Sequence, residues 1–235
     1  MTDRKLEGRI ALVTGASRGI GAATAEALAK AGAHVIMTAR TADALEEVDD
    51  RIHAAGGTAT IAPMDLTENE GIGRLGTAIA GRWPAIDMLV LNAAMLGTLS
   101  PVPQIDPKEF SKVMTLNLLA SQALIAAFNP LLRASQAGRL VAVTSSVGQN
   151  PRAYWGAYGA SKAALETLVL SYAEETAKLT NVRVAIVDPG ATATVMRARA
   201  FPGEDPSSIK QPAEVGHAIA ELLAGDFETG HRLKL

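Results

Sequence analysis

A short apolar run at residues 10–14 leads straight into Thr14-Gly15-Ala16-Ser17-Arg18-Gly19-Ile20-Gly21, and an Ala-rich segment of helical character follows. Few folds accept that junction. Glycines here let the backbone turn tightly, let a phosphate approach the amides, and let the helix pack close to the strand. The helix start then offers unpaired N–H groups and the positive end of its dipole to a pyrophosphate. The spacing Gly-x-x-x-Gly-x-Gly departs from the commoner Gly-x-Gly-x-x-Gly, and its position directly after the first strand is what strengthens it. Gly15, Ser17, Arg18, Gly19, Ile20 and Gly21 would form the cradle.

Further β-rich runs recur at residues 34–38, 58–64, 88–91, 140–144 and 183–187, with a last short one near Arg232. Longer Ala/Leu-rich segments separate them, which is the pattern of parallel strands joined by crossover helices. Runs such as Met-Leu-Val-Leu at 88–91 lack polar alternation, as strands buried on both faces do. The expected fold is therefore α/β, a doubly wound, Rossmann-like parallel sheet of about seven strands with helices on both faces. The helices are expected at 19–31, 42–55, 68–82, 106–134, 156–179 and 213–224. With 235 residues, 48% of them hydrophobic, one domain over 1–235 is the default. Residues 93–104 and 191–211 break the alternation as loops after strands. Open α/β sheets bind ligands beyond the carboxyl ends of their strands, so both loops should border a ligand. The second carries Pro202, Gly203 and Pro206 and reads as a lid or substrate-binding loop.

Residues 145–162 put a serine, a tyrosine and a lysine where a strand gives way to a helix. Tyr158 and Lys162 are four apart and share a helix face, so the ammonium is expected to favour the ionised phenol. Other chemistries are set aside by composition. There are no cysteines, which removes disulfides, thiolate metal sites and cysteine nucleophiles. His34, His53, His217 and His231 show no metal-ligand spacing and read as surface or structural residues. The net charge of −2 is spread without a basic stripe, which argues against nucleic acid as a partner. The N-terminal segment reads as neither signal peptide nor membrane span, so a cytoplasmic protein without membrane contact is expected.

Taken together, TGASRGIG at 14–21, Asp65 after the third strand, LNAA at 91–94, Asn117, Ser145, Tyr158 with Lys162, and DPG at 188–190 make the chain resemble the short-chain dehydrogenase/reductase family. The likeness is to the compact type and runs over essentially the whole length. Ser145 lies thirteen residues before Tyr158, as the resemblance requires; Ser146 competes for the same role, but the spacing and Ser145-x-x-Gly148 favour Ser145. The resemblance implies hydride transfer between the nicotinamide C4 and a carbonyl or alcohol carbon. Tyr158 would donate or accept the proton, Ser145 would polarise the same oxygen, and Lys162 would tune the phenol and bind the nicotinamide ribose. Asn117 resembles the residue that anchors a water leading from Lys162 to solvent. Asp65 and Leu66 would lie near the adenine, Asn92 and Ala93 on the ribose side, and Thr192, after Pro189 and Gly190, near the carboxamide. Strand two ends Thr38-Ala39-Arg40 without an acid. With Arg40 and Arg18 near the adenosine ribose, NADP(H) is expected over NAD(H).

Two departures from the family pattern stand out. Asn92-Ala93-Ala94 replaces the usual Asn-Ala-Gly, and residues 229–235 lack the glycine-rich tail often seen after the last strand. The substrate is expected to be a small carbonyl or alcohol, with Met95, Leu96, Tyr154, Trp155, Met196 and Phe201 as candidate pocket residues. Alternatives are an epimerase, isomerase or dehydratase using the same cofactor, and a nucleotide-binding sensor without turnover. The helices at 106–134 and 156–179 look too apolar for water around their full circumference. With the resemblance, this implies a homodimer or homotetramer.

Overall fold

In the computed structural model, which describes residues 4–235, strand β1 (Ile10–Thr14) is an inner strand of a seven-stranded sheet. Residues 1–3, part of the N-terminal segment read above, lie outside the described residues. The other strands are β2 (His34–Thr38), β3 (Thr58–Ile61), β4 (Met88–Leu91), β5 (Arg139–Val143), β6 (Arg183–Asp188) and β7 (His231–Lys234), in the order β3-β2-β1-β4-β5-β6-β7. Every pairing is parallel. Leu12 of β1 sits opposite Ile36 on one side and Leu89 on the other. The order reverses between β1 and β4, which is where such sheets open a crevice at their carboxyl edge.

Side chains alternate between two cores, as the period of two along a strand demands. Ala11 and Val13 join a cluster with α1 (Gly19–Lys30), α2 (Ala42–Ala54) and α8 (Pro212–Ala224). Leu12 joins the opposite cluster with α3 (Asn69–Ala80), α5 (Ala120–Ala134) and α6 (Gly156–Ala177). Helix α8 packs so tightly on α1 that a Cβ on Gly216 would lie 2.5 Å from the carbonyl carbon of Ala23 and 2.7 Å from the Thr24 nitrogen.

The expected helix at 106–134 is subdivided. Asp106 caps α4 (Pro107–Met114), accepting a bond from the Glu109 N–H, and Pro107 occupies the first turn. A π-helical turn at Thr115–Leu119 then connects to α5. Together Pro107–Ala134 are long and apolar enough to span a bilayer by composition, and their packing accounts for that. Leu124, Phe128 and Leu132 are buried against the sheet. The loop expected at 191–211 also contains structure, a six-residue helix α7 (Val195–Ala200) and a single 3-10 turn at Pro206–Ser208. Strand β3 stops at Ile61 rather than 64, although the Ala62 and Met64 N–H groups still donate to Met37 and Ala39. His34 is structural: its ring bridges the Thr58 and Thr60 hydroxyls and lies against Trp83.

Candidate active site

The glycine turn is held from the neighbouring strand. Thr14 donates its hydroxyl to the Val90 carbonyl and accepts the N–H groups of Asn92 and Ala93. The Asn92 amide donates to the carbonyls of Thr14 and Gly15. This side chain, expected on the ribose side, is therefore committed to supporting the turn. Gly15 has φ +65° and comes so close to Ala93 that a Cβ would fall 2.9 Å from its Cα. At Gly21 a Cβ would run into the Gly15 carbonyl oxygen. Helix α1 begins after an extended Arg18, with no side-chain cap and no acidic residue in its first turn. Its N–H groups are left for an anion, and the helix dipole favours one.

Arg18 lies within this turn and Arg40 follows β2; both are exposed, and neither forms an ion pair among the described residues. Asp65 sits after β3 with its carboxyl held below the usual carboxylate range, by hydrogen bonds from Thr67 first and by the Arg40 charge last. Leu66 beside it is buried. Beyond β6, Thr192 is 4% exposed and donates its hydroxyl to the Pro189 carbonyl. Gly190 takes φ +65°, with the Lys210 ammonium 3.0 Å from where its Cβ would be.

The strand-to-helix unit read from residues 145–162 lies at the same carboxyl edge. Tyr158 and Lys162 are 7% and 2% exposed on α6, and the Tyr158 hydroxyl has no hydrogen-bond partner among the described residues. Burial pushes the Tyr158 phenol up, and the Asp188 charge adds to it. The expected acidic phenol is thus not a property of the chain by itself. The Lys162 ammonium lies 5.7 Å from the Tyr158 ring centre and donates instead to the Val143 carbonyl at 2.8 Å. Burial lowers Lys162 to about 8, with Glu166 acting in the opposite sense. Ser145 is extended and half-buried, just before the 3-10 turn Ser146–Gly148. Asn117 lies in the π turn, fully buried. Its amide clamps Met95 by accepting from the N–H and donating to the carbonyl, and it also donates to the Ser161 hydroxyl. The Asn117 side chain is therefore consumed in holding the 93–104 segment against α6.

Two residues absent from the sequence reading belong here. Ser161 ties Asn117 to the Tyr158 carbonyl, and Glu166 sits one turn beyond Lys162, 5% exposed. The only signal for Glu166 is an acid four residues after Lys162 in the otherwise apolar stretch before Glu174.

Aromatic rings link the 191–211 segment to Tyr158. Trp155 meets Tyr158 edge-on with ring centres 6.0 Å apart, and Phe201 lies 5.8 Å from Trp155 on its own contact. The Arg197 guanidinium stacks 3.7 Å from the Phe201 ring centre and forks onto both Glu204 oxygens. Tyr154 is 59% exposed and has φ +73°, a left-handed conformation unusual for an aromatic residue. Its carbonyl accepts from the Ser100 N–H, which joins the 93–104 segment to the stretch just before α6. A cavity of about 260 Å³ is bordered by Trp155, Val147, Pro151 and Gly159.

A family model described as short chain dehydrogenase matches residues 9–205. Over 224 residues the chain is 40% identical to the uncharacterized oxidoreductase YciK of Escherichia coli K12, covering 94% of this chain and 88% of that protein. A Shigella flexneri 2a structure complexed with NADP superposes with a TM-score of 0.94 at 38% identity, over 100% of this chain and 99% of that one. A structure from Escherichia coli CFT073 complexed with NADPH gives a TM-score of 0.93 at 39% identity, over 100% of this chain and 98% of that one.

Proposed function

This chain belongs to the short-chain dehydrogenase family, and on that premise we propose that it transfers a hydride between NADP(H) and a small carbonyl or secondary alcohol substrate, with Tyr158 donating and accepting the proton. The observation that carries this reading is the burial of Tyr158 and Lys162 together on one face of α6, at the carboxyl edge of the sheet that also bears the glycine turn. The chain's residues fit an anionic dinucleotide: glycines where a Cβ would collide, an uncapped helix start, and two exposed arginines. The NADP and NADPH complexes of similar structures support the choice of the phosphorylated cofactor, and Arg18 with Arg40 would pair its 2′-phosphate.

When bound, the nicotinamide supplies the hydride donor or acceptor. Tyr158, neutral and buried, gives its proton to a carbonyl oxygen as negative charge develops there. Ser145 donates a hydrogen bond to the same oxygen and holds it in reach. Lys162 keeps a positive charge beside the phenol, which favours the ionised form left after proton transfer. Trp155 and Phe201 shield this volume from water, and residues 191–211 form the substrate-binding loop. Asn117 fixes Met95 in the 93–104 segment. In the oxidation direction the proton moves the other way.

A panel of aldehydes, ketones and alcohols with NADPH or NADP⁺, followed at the nicotinamide absorbance, tests the activity. Tyr158→Phe is expected to lose about 10²-fold or more in kcat while NADPH binding, read by fluorescence, stays near that of the parent. Full turnover in that variant would remove Tyr158 from the mechanism, and NADH binding as tight as NADPH would remove the cofactor preference. We also propose a cytoplasmic homodimer or homotetramer built on α4 to α6, where Leu119 is 51% exposed. Light scattering at micromolar concentration should give at least twice the 24.4 kDa chain mass; a monomer would contradict it.

A further inference from the structure

Tyr158, Lys162 and Glu166 follow one another at intervals of four on α6, so they form one stripe of the helix. A carboxylate as buried as Glu166 persists only where its charge is paired and its oxygens are hydrogen-bonded. Both conditions are met, and the partners are informative. One oxygen accepts from the Thr144 hydroxyl at 2.7 Å. The other accepts from the Gln149 amide at 2.8 Å and from Arg232 of β7 at 2.7 Å. Thr144 and Gln149 bracket Ser145 and the 3-10 turn after it, so a single carboxylate grips the serine segment at both ends. The same segment meets α6 backbone to backbone: a Cβ on Gly148 would lie 3.0 Å from the Ala163 nitrogen and 3.1 Å from the Lys162 carbonyl carbon.

We propose that Glu166 is a positioning residue that fixes Ser145 against the Tyr158–Lys162 face of α6 and places a negative charge one turn beyond Lys162. The proposal rests on the catalytic reading of those three residues. Ser145 and Tyr158 belong to different elements yet must reach one substrate oxygen, and displacement by a fraction of an ångström weakens such an arrangement. The charge acts on Lys162 in the sense that opposes desolvation. The other groups around Lys162 are accounted for. Strand β5 presents the Val143 carbonyl and the π turn the neutral Asn117, while β6 brings Asp188 near Tyr158 and β7 brings Arg232. Helix α4 carries the exposed Lys108 and Lys112, and Glu109 bonded to Thr98. Burial pushes the Glu166 carboxyl up, but its bonds from Arg232, Thr144 and Gln149 outweigh that and leave it below the ordinary range, hence charged at neutral pH.

Glu166→Gln removes the charge while the Thr144 hydroxyl can turn to accept from the new amide; Glu166→Ala removes the charge and the grip. In cofactor-free protein with ¹³C-labelled lysine, the Lys162 titration midpoint should fall by about half a pH unit or more in Glu166→Gln. Amide hydrogen exchange over 144–149 should quicken in Glu166→Ala. Arg232→Gln keeps the carboxylate, so it should not lower the Lys162 midpoint, whereas a general loosening would admit water and raise it in both variants, opposite to the fall expected of Glu166→Gln. With whichever substrate of the carbonyl panel the parent turns over, Glu166→Ala should lose about tenfold or more in kcat with NADPH affinity retained. An unmoved Lys162 midpoint in Glu166→Gln, or unchanged 144–149 exchange in Glu166→Ala, overturns the proposal. A parent inactive on the whole panel would count against the catalytic reading instead, since the titration and exchange need no turnover.

Discussion

Lys162 holds an ammonium almost entirely away from water, 2% exposed, with one carbonyl as its hydrogen-bond acceptor. Burial disfavours its charged form and lowers its pKa from 10.5 to about 8. Between those values the unfolded chain binds more protons than the folded one, so folding is favoured as pH rises through that window. Below pH 8 both forms are protonated and the destabilisation is constant, on the order of 3 kcal/mol. Urea unfolding of the parent and Lys162→Met at pH 7.5 and pH 10 should therefore show the parent gaining about 2 kcal/mol relative to the variant. Tyr158 is present in both proteins, so its own titration cancels in that comparison. No relative gain would mean that Lys162 reaches water. The Tyr158–Lys162 pair was legible in the sequence because four residues make one helical turn. The acceptor of Lys162 was not, since Val143 lies 19 residues earlier on a strand and that contact depends on how α6 docks. Asn117 was legible as a site residue, but its grip on Met95 joins the π turn to the 93–104 segment through tertiary packing.

Among the elements, α1 and α8 approach each other closely, and Gly216 permits it. A methyl group there meets the backbone of Ala23 and Thr24, and backbone cannot rotate away as a side chain end can. Gly216→Ala should destabilise the protein by about 1–3 kcal/mol in urea unfolding. It should also weaken NADPH binding measured by fluorescence, because α1 carries the glycine turn at its start. A variant as stable as the parent would show that the two helices part freely. Nothing in Val215-Gly216-His217 marks this glycine apart from any other helical glycine, because its neighbour comes from a segment nearly two hundred residues earlier. Helix α7 escaped notice for a different reason. Six residues are too few to show a period, and the prolines and glycine after them spoke for a loop. The long apolar stretch at 106–134 was read as one helix since a π turn leaves no mark on hydrophobic spacing.

For the whole molecule, strand number and parallel class followed from runs of apolar residues between helical segments, whereas strand order is a matter of long-range pairing that no local pattern records. That order has a bearing on how the chain is made. The bond from Thr14 of β1 to Val90 of β4 spans 76 residues, and every neighbour in the sheet is joined by a crossover rather than a hairpin. During synthesis at about 5–20 residues per second, one edge of β1 would wait for roughly 4–15 seconds before β4 exists to cover it. The nascent chain must shelter that apolar strand in the meantime, through β2 and the helices already made. The crevice between β1 and β4 thus cannot close around a nucleotide until well over a third of the protein has left the ribosome, which makes cofactor capture a late event in the life of the chain.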